Sequence, residues 1–191
     1  MQSLNKIIIV SGTSGSGKTT LVNYLLKKKE LNLAFSISAC SRQKRLNETH
    51  GENYVFFSKS EFKHRIDKKQ FLEWEEVYPG QFYGTLKKSI DELLLSGKNI
   101  LFDIDVHGAL SIKKYFKNTA RTIFVQPPSF DTVKQRLIKR QTESAASLEK
   151  RINKMKEEML IGQRMDYCLL NDDLDVAKSS LFTYVKRFLE S

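Results

Sequence analysis

Gly12-Thr13-Ser14-Gly15-Ser16-Gly17-Lys18-Thr19 fits G-x-x-x-x-G-K-[ST], the phosphate-binding P-loop pattern. Working outward, Lys6-Ile-Ile-Ile-Val10-Ser11 precedes it, a short apolar β-branched run that reads as a buried strand. Behind it, Thr20 to Leu26 carries apolar residues at Leu21, Val22, Leu25 and Leu26, a helical period. Strand, glycine turn and helix together turn a string match into a site. The glycines let backbone N–H groups turn inward around a phosphate. The helix N-terminus adds unpaired donors and a partial positive charge. Lys18 can reach the outer phosphates of a nucleotide, and the Thr19 hydroxyl can bind Mg²⁺. The segment Gly12 to Thr20 is therefore the candidate triphosphate site.

A chain of 191 residues, 40% hydrophobic and 28% charged, is globular and long enough for a proper core. Its apolar runs, such as Ile7–Val10 and Leu93–Leu95, are too short to span a bilayer. The N-terminal residues lack a secretory apolar region, so a cytoplasmic protein is expected. Cys40 and Cys168 form neither a disulfide framework nor a metal motif, and His50, His64 and His107 lack metal-ligand spacing. The net charge of +10 suits polyanionic ligands without choosing between nucleic acid and free nucleotides. No RNP-type, zinc-finger or helix-turn-helix signature points to nucleic acid.

Strand and helix signals alternate along the chain. Residues 33–38 read as a strand, Ala39 to Asn53 as a polar, basic loop, and Tyr54–Phe57 as another strand. Ser58-Lys-Ser-Glu61 is a capping box opening a helix to about Lys69. Phe71–Tyr78 and Gln81–Tyr83 form a hairpin across Pro79-Gly80, and Thr85 reads as the cap of a helix that Gly97 ends. Asn99–Asp103, Arg121–Val125 and Tyr167–Leu170 read as strands. Helices are expected at Gly108–Phe116, Ser129–Arg140, Leu148–Arg164 and Asp175–Leu189, with a polar tip at 141–147. The pattern predicts an α/β fold, a parallel sheet flanked by helices, with ligands at the carboxyl ends of the strands.

Asp103 and Asp105 stand at the carboxyl end of an apolar strand, where P-loop enzymes hold Mg²⁺ or its waters. Arg42, Lys44 and Arg45 cluster in the basic loop, and an arginine fork matches phosphate oxygens. Arg136 and Arg140 lie four apart, with Arg151 just past the polar tip. Spacing alone reads these three as surface arginines paired with glutamates.

The chain resembles the guanylate kinases over nearly its whole length. After the P-loop come Phe35-Ser-Ile-Ser38-Ala-Cys-Ser-Arg42-Gln-Lys-Arg45 and Gly51-Glu-Asn-Tyr54. Phe71-Leu-Glu73-Trp, Tyr83-Gly-Thr85, Leu101-Phe-Asp-Ile-Asp105-Val-His-Gly108, Arg136-Leu-Ile-Lys-Arg140 and Asn171-Asp-Asp-Leu-Asp175 follow in family order. The resemblance implies that Arg42, Arg45, Tyr54 and Tyr83 bind the GMP phosphate. It implies that Ser38, Glu73 and Thr85 read guanine, with Asp105 near the base. Lys18 and Thr19 would hold ATP phosphates and Mg²⁺, with Asp103 the carboxylate on the metal. Arg136, Arg140 and Arg151 would serve a lid and the transfer site, and Asn171 would lie near adenine. The implied division is a core of 1–34, 85–125 and 161–191, a small β-rich GMP-binding insertion of 35–84, and a helical lid of 126–160. Thr13, Lys44, Asn47 and Gln141 depart from the family pattern at loop positions.

The expected reaction is ATP + GMP → ADP + GDP, with tolerance of dGMP left open and neither nucleic acid nor membrane as a partner. GMP's phosphate is already largely dianionic at neutral pH, since its second pKa is about 6. It needs no general base. Three other readings compete with this one, the most distant a nucleic-acid-binding P-loop protein. A P-loop kinase for a different acceptor would not want Glu73, whose carboxylate suits guanine's N1–H and N2–H and repels adenine's N1. A scaffold module of the same fold would not keep Gly17, Lys18 and Thr19.

Overall fold

Ile7, Ile8, Ile9 and Val10 are all fully buried, which a strand allows only when both faces of its sheet are covered. The computed structural model describes residues 5–129 and 145–191. Among these, the elements in chain order begin with β1 (Ile7–Gly12), α1 (Lys18–Leu26), β2 (Leu33–Phe35), β3 (Ala39–Cys40) and β4 (Val55–Phe56). Next come α2 (Lys59–Asp67), β5 (Phe71–Tyr78), β6 (Gln81–Leu86), α3 (Lys87–Leu95), β7 (Asn99–Asp103) and α4 (Val106–Phe116). The chain ends with β8 (Ala120–Gln126), α5 (Ala145–Gly162), β9 (Tyr167–Leu170) and α6 (Leu174–Glu190).

The larger sheet has the order β2-β7-β1-β8-β9, every neighbouring pair parallel. Side chains alternate across a strand, so Ile8 and Val10 pack with Leu21, Leu25, Leu181 and Val185 of α1 and α6. Ile7 and Ile9 pack on the other face with Ile90, Val106 and Ile112 of α3 and α4. Because all five strands run one way, the P-loop after β1, the aspartates after β7 and Asn171 after β9 emerge at one edge.

The smaller sheet, β4-β3-β6-β5, is mixed: β3 pairs parallel with β4, while β6 runs antiparallel to β3 and β5. Its core is aromatic. Phe62 of α2 is fully buried and stacks 4.3 Å from Phe71 and 5.7 Å from Phe82. Removing such a ring costs about 3–5 kcal/mol. The Ser58–Glu61 capping box is present at the start of α2, as the sequence predicts.

The structure differs from the local pattern in four places. The strand expected at 33–38 stops at Phe35, and Ala39–Cys40, expected in a loop, joins the other sheet instead. The chain crosses between sheets there, and a strand cannot serve both. Thr85 is not a helix cap: it is buried inside β6, and Leu86, with no side-chain cap bond, precedes α3. Asp105 lies beyond β7 and caps α4, its Oδ1 accepting from His107 N and Gly108 N at 2.9 Å. Residues 145–147, read as polar tip, begin α5. The helix expected at Ser129–Arg140 lies outside the described residues apart from Ser129, and so do residues 130–144 of the 126–160 segment assigned to the lid.

Candidate active site

Gly15 and Gly17 hold the P-loop open with φ of 83° and 91°, values that favour glycine. Ser16 N donates to Thr13 O at 3.1 Å, closing the turn. Thr13 Oγ1 and Ser16 Oγ are buried without a hydrogen-bond partner among the described residues, as expected of a loop shaped around a ligand that supplies polar atoms. Lys18 Nζ forms an ion pair with Asp103 Oδ1 at 2.9 Å. Burial works against the lysine's charge, but Asp103 outweighs it and holds the Lys18 pKa above its ordinary value.

Asn171 braces this loop from the far side of the sheet. Its Nδ2 donates to Ser16 O at 2.7 Å, and the residue is almost wholly buried. A Cβ on Gly17 would collide with that Nδ2.

A cavity of about 230 Å³ opens between the two sheets, lined by Lys18, Thr19, Ser38, Tyr54, Glu73, Val77, Tyr83, Gly84, Asp103, Ile104 and Asp105. It joins eight of the residues singled out from sequence. At one end, Glu73 Oε1 accepts from Thr85 Oγ1 at 2.6 Å, a contact set by the register that places Glu73 opposite Thr85. Burial pushes the Glu73 carboxyl up to about 7, against the pull of the Thr85 bond. Gly108 sits under this carboxylate, where an added Cβ would lie 3.1 Å from Glu73 Oε2.

At the rim, Arg42 is held from four sides. Nε donates to Tyr83 Oη at 3.1 Å, Nη1 and Nη2 to Glu48 at 2.6 Å each, and Nη1 also to Gln43 O at 3.0 Å. Its guanidinium lies 4.9 Å from the Tyr54 ring centre. The Arg42 fork draws the Glu48 pKa down to about 2. Arg45 contributes its backbone N–H to Glu48 at 2.9 Å, and its side chain is exposed. Thr20 is exposed one residue into α1 from Thr19. Arg136 and Arg140 lie outside the described residues, and Arg151 falls on α5, where only the backbone is described.

Three carboxyls escape a motif-based reading. Glu75 follows Glu73 by two residues on β5, a spacing that puts both on one face. Burial and the nearby Asp105 push its carboxyl well up. Glu158 of α5 is buried near Lys18 and Lys154, and burial raises it to about 7. Glu48 lies three residues past Arg45, and its signal is the Arg-x-x-Arg-x-x-Glu spacing.

Mg²⁺ takes one or two protein oxygens beside phosphate oxygens. Thr19 and Asp103 line one cavity next to the unpartnered P-loop hydroxyls, so the residues fit that ion.

The chain matches the family model described as guanylate kinase over residues 4–189. A guanylate kinase of Bacteroides fragilis is 48% identical over 184 residues, covering 96% of this chain and 90% of that protein. One from Thermotoga maritima is 36% identical over 181 residues, covering 95% of this chain and 86% of that protein. In fold, the chain is similar to the crystal structure of guanylate kinase from Anaplasma phagocytophilum, with a TM-score of 0.78 at 24% identity, over 99% of this chain and 88% of that one.

Proposed function

The chain belongs to the guanylate kinase family, and we propose that it transfers the γ-phosphoryl group of ATP to GMP, giving ADP and GDP, in the cleft between its two sheets. The observation that carries the site assignment is one cavity joining Lys18 and Thr19 of the P-loop to the Glu73 carboxylate. This supports a triphosphate grip and a guanine reader serving one cleft.

Glu73 offers two acceptor positions to guanine N1–H and N2–H, and Thr85 holds one of its oxygens in place. Ser38 and Asp105 line the same cavity. Arg42, Arg45, Tyr54 and Tyr83 take the GMP phosphate at the rim. The P-loop, from Gly12 to Thr20, takes the ATP phosphates, with Asn171 holding it in shape and lying toward the adenine. Thr19 and Asp103 would hold Mg²⁺, which would supply charge neutralisation on the transferring phosphates. An oxygen of the GMP phosphate attacks the γ-phosphorus, the bond to the β,γ-bridging oxygen breaks, and ADP leaves with that electron pair. No proton need be abstracted. The protein's task is to hold two mutually repelling anions in line and to stabilise the charge in flight.

Residues 35–84 form the GMP-binding unit on a core of 1–34, 85–125 and 161–191, with the lid at 126–160, although Phe35 stays in the larger sheet and the smaller one runs on to Leu86. The net charge of +10 serves nucleotide substrates. Among the described residues no helix is long and apolar enough to cross a membrane, and a cytoplasmic location suits a kinase acting on ATP and GMP. A coupled ADP-release assay of ATP against GMP, AMP, CMP and UMP tests the reading. GMP should be preferred by 10⁴ or more, the discrimination that a hydrogen-bonding base pocket can supply. Equal turnover of AMP would overturn it.

A further inference from the structure

A second cavity, of about 260 Å³, adjoins the first and shares Lys18, Tyr54, Val77 and Asp105 with it. The P-loop lines it at Gly12 and Ser14, and α5 at Lys154 and Glu158. Phosphates cradled by the P-loop would therefore border the cavity that Lys154 lines.

The contacts of Lys154 are loose. Its Nζ is 4.0 Å from Glu158 Oε1 and 5.4 Å from the centre of the Tyr78 ring. Both separations exceed a hydrogen bond, and among the described residues none is made by this ammonium. Lys18, by contrast, is bound to Asp103 at 2.9 Å. The cavity also holds Glu158 and Asp105, with Glu75 against Asp105. Where ionised, these carboxyls repel an incoming phosphate, and Lys154, whose charge lowers the pKa of both Glu75 and Glu158, offsets that repulsion. A partly exposed i,i+4 pair at this distance adds little to stability, so packing alone does not account for a lysine directed at a phosphate pocket.

We propose that Lys154 is a further catalytic residue of the phosphoryl transfer. When both nucleotides are bound, its ammonium leaves Glu158 and Tyr78 for a non-bridging oxygen of the migrating group, on the side opposite Lys18. The bonds made and broken are those of the transfer itself, and Lys154 exchanges no proton. This inference rests on the reading that ATP and GMP meet in the cleft.

The test is steady-state kinetics of wild type, Lys154→Gln, Lys154→Ala and Lys154→Arg, with thermal midpoints measured alongside. Both neutral variants should lose roughly 10- to 10²-fold in kcat. Their KM for GMP should stay within about threefold, as expected of an interaction made mainly in the transition state. Their midpoints should stay within about 2 °C, as for a partly exposed pair held at 4.0 Å, and Lys154→Arg should recover most of the rate. A neutral variant within about twofold of wild-type kcat overturns the proposal, and so does Lys154→Arg as slow as Lys154→Gln. Wild-type protein in the same assay separates the two claims. If it releases no ADP with GMP, the guanylate kinase reading fails. If it turns over and the variants match it, only the role of Lys154 fails.

Discussion

Lys18 Nζ lies 2.9 Å from Asp103 Oδ1, joining the P-loop after β1 to the carboxyl end of β7, its neighbour in the sheet. The pair keeps the lysine charged in a buried setting and aimed at the cavity both residues line. Lys18→Ala should lower turnover by roughly 10²-fold or more, because positive charge is lost from the migrating phosphoryl group. Near-wild-type turnover in folded Lys18→Ala protein would refute the assignment of this loop.

Glu73 should set base choice. Glu73→Gln keeps the shape but turns one acceptor into a donor facing a guanine N–H. The lost charge-assisted bond and the new clash should cost about 2–4 kcal/mol in kcat/KM for GMP. Activity with AMP should fall far less. An unchanged GMP:AMP ratio in the folded variant would show that Glu73 does not read the base. Glu75→Gln is not a neutral control, since Glu75 is partly buried beside Asp105.

Burial raises Glu73 and Glu158 from 4.5 to about 7. Between those values the folded protein binds more protons than the unfolded chain, so stability falls as pH rises through the window. The thermal midpoint of the ligand-free protein should therefore be higher near pH 5.5 than near pH 7.5. GMP recognition has the opposite sign, because it needs ionised Glu73. The KM for GMP should climb as pH drops through 7, ahead of the phosphate's own ionisation near 6. A flat KM between pH 8 and 6.5 would rule this out.

Glu48 grips both terminal nitrogens of Arg42 at 2.6 Å. Glu48→Ala frees the guanidinium to leave its place over Tyr54, and misplacement of a positioning group is costly. The KM for GMP should rise on the order of tenfold, with a smaller effect on KM for ATP. A fall in the KM for GMP would mean that Glu48 competes with the phosphate instead of positioning Arg42.

Gly17→Ala places a Cβ at a φ of 91° and against Asn171 Nδ2. Left-handed strain and a broken brace on Ser16 O act together, so ATP binding and thermal stability should both drop. The double variant Gly17→Ala/Asn171→Ala should recover part of the stability but not the activity. If the single variant behaves like wild type by calorimetry, the brace is dispensable.

The P-loop, the buried strands Ile7–Val10 and Asn99–Asp103, and the α2 capping box were legible in sequence, because each depends on residues within a few positions. Glycine freedom, side-chain alternation and a Ser–Glu cap are local physics. Thr85 marks where that physics misleads: its hydroxyl suits a helix cap, but the pairing of β5 with β6 sets it opposite Glu73. The family resemblance, not the spacing, marked Glu73, and it gave Arg42 its role within a basic cluster already visible in the sequence. Only the tertiary structure decided the rest. A raised carboxyl such as Glu158 exists because α5 packs against β1 and α4 and loses water there, and Lys154 comes to line the second cavity for the same reason. Desolvation and cavity shape belong to packed elements far apart in the chain, so no window of sequence contains them.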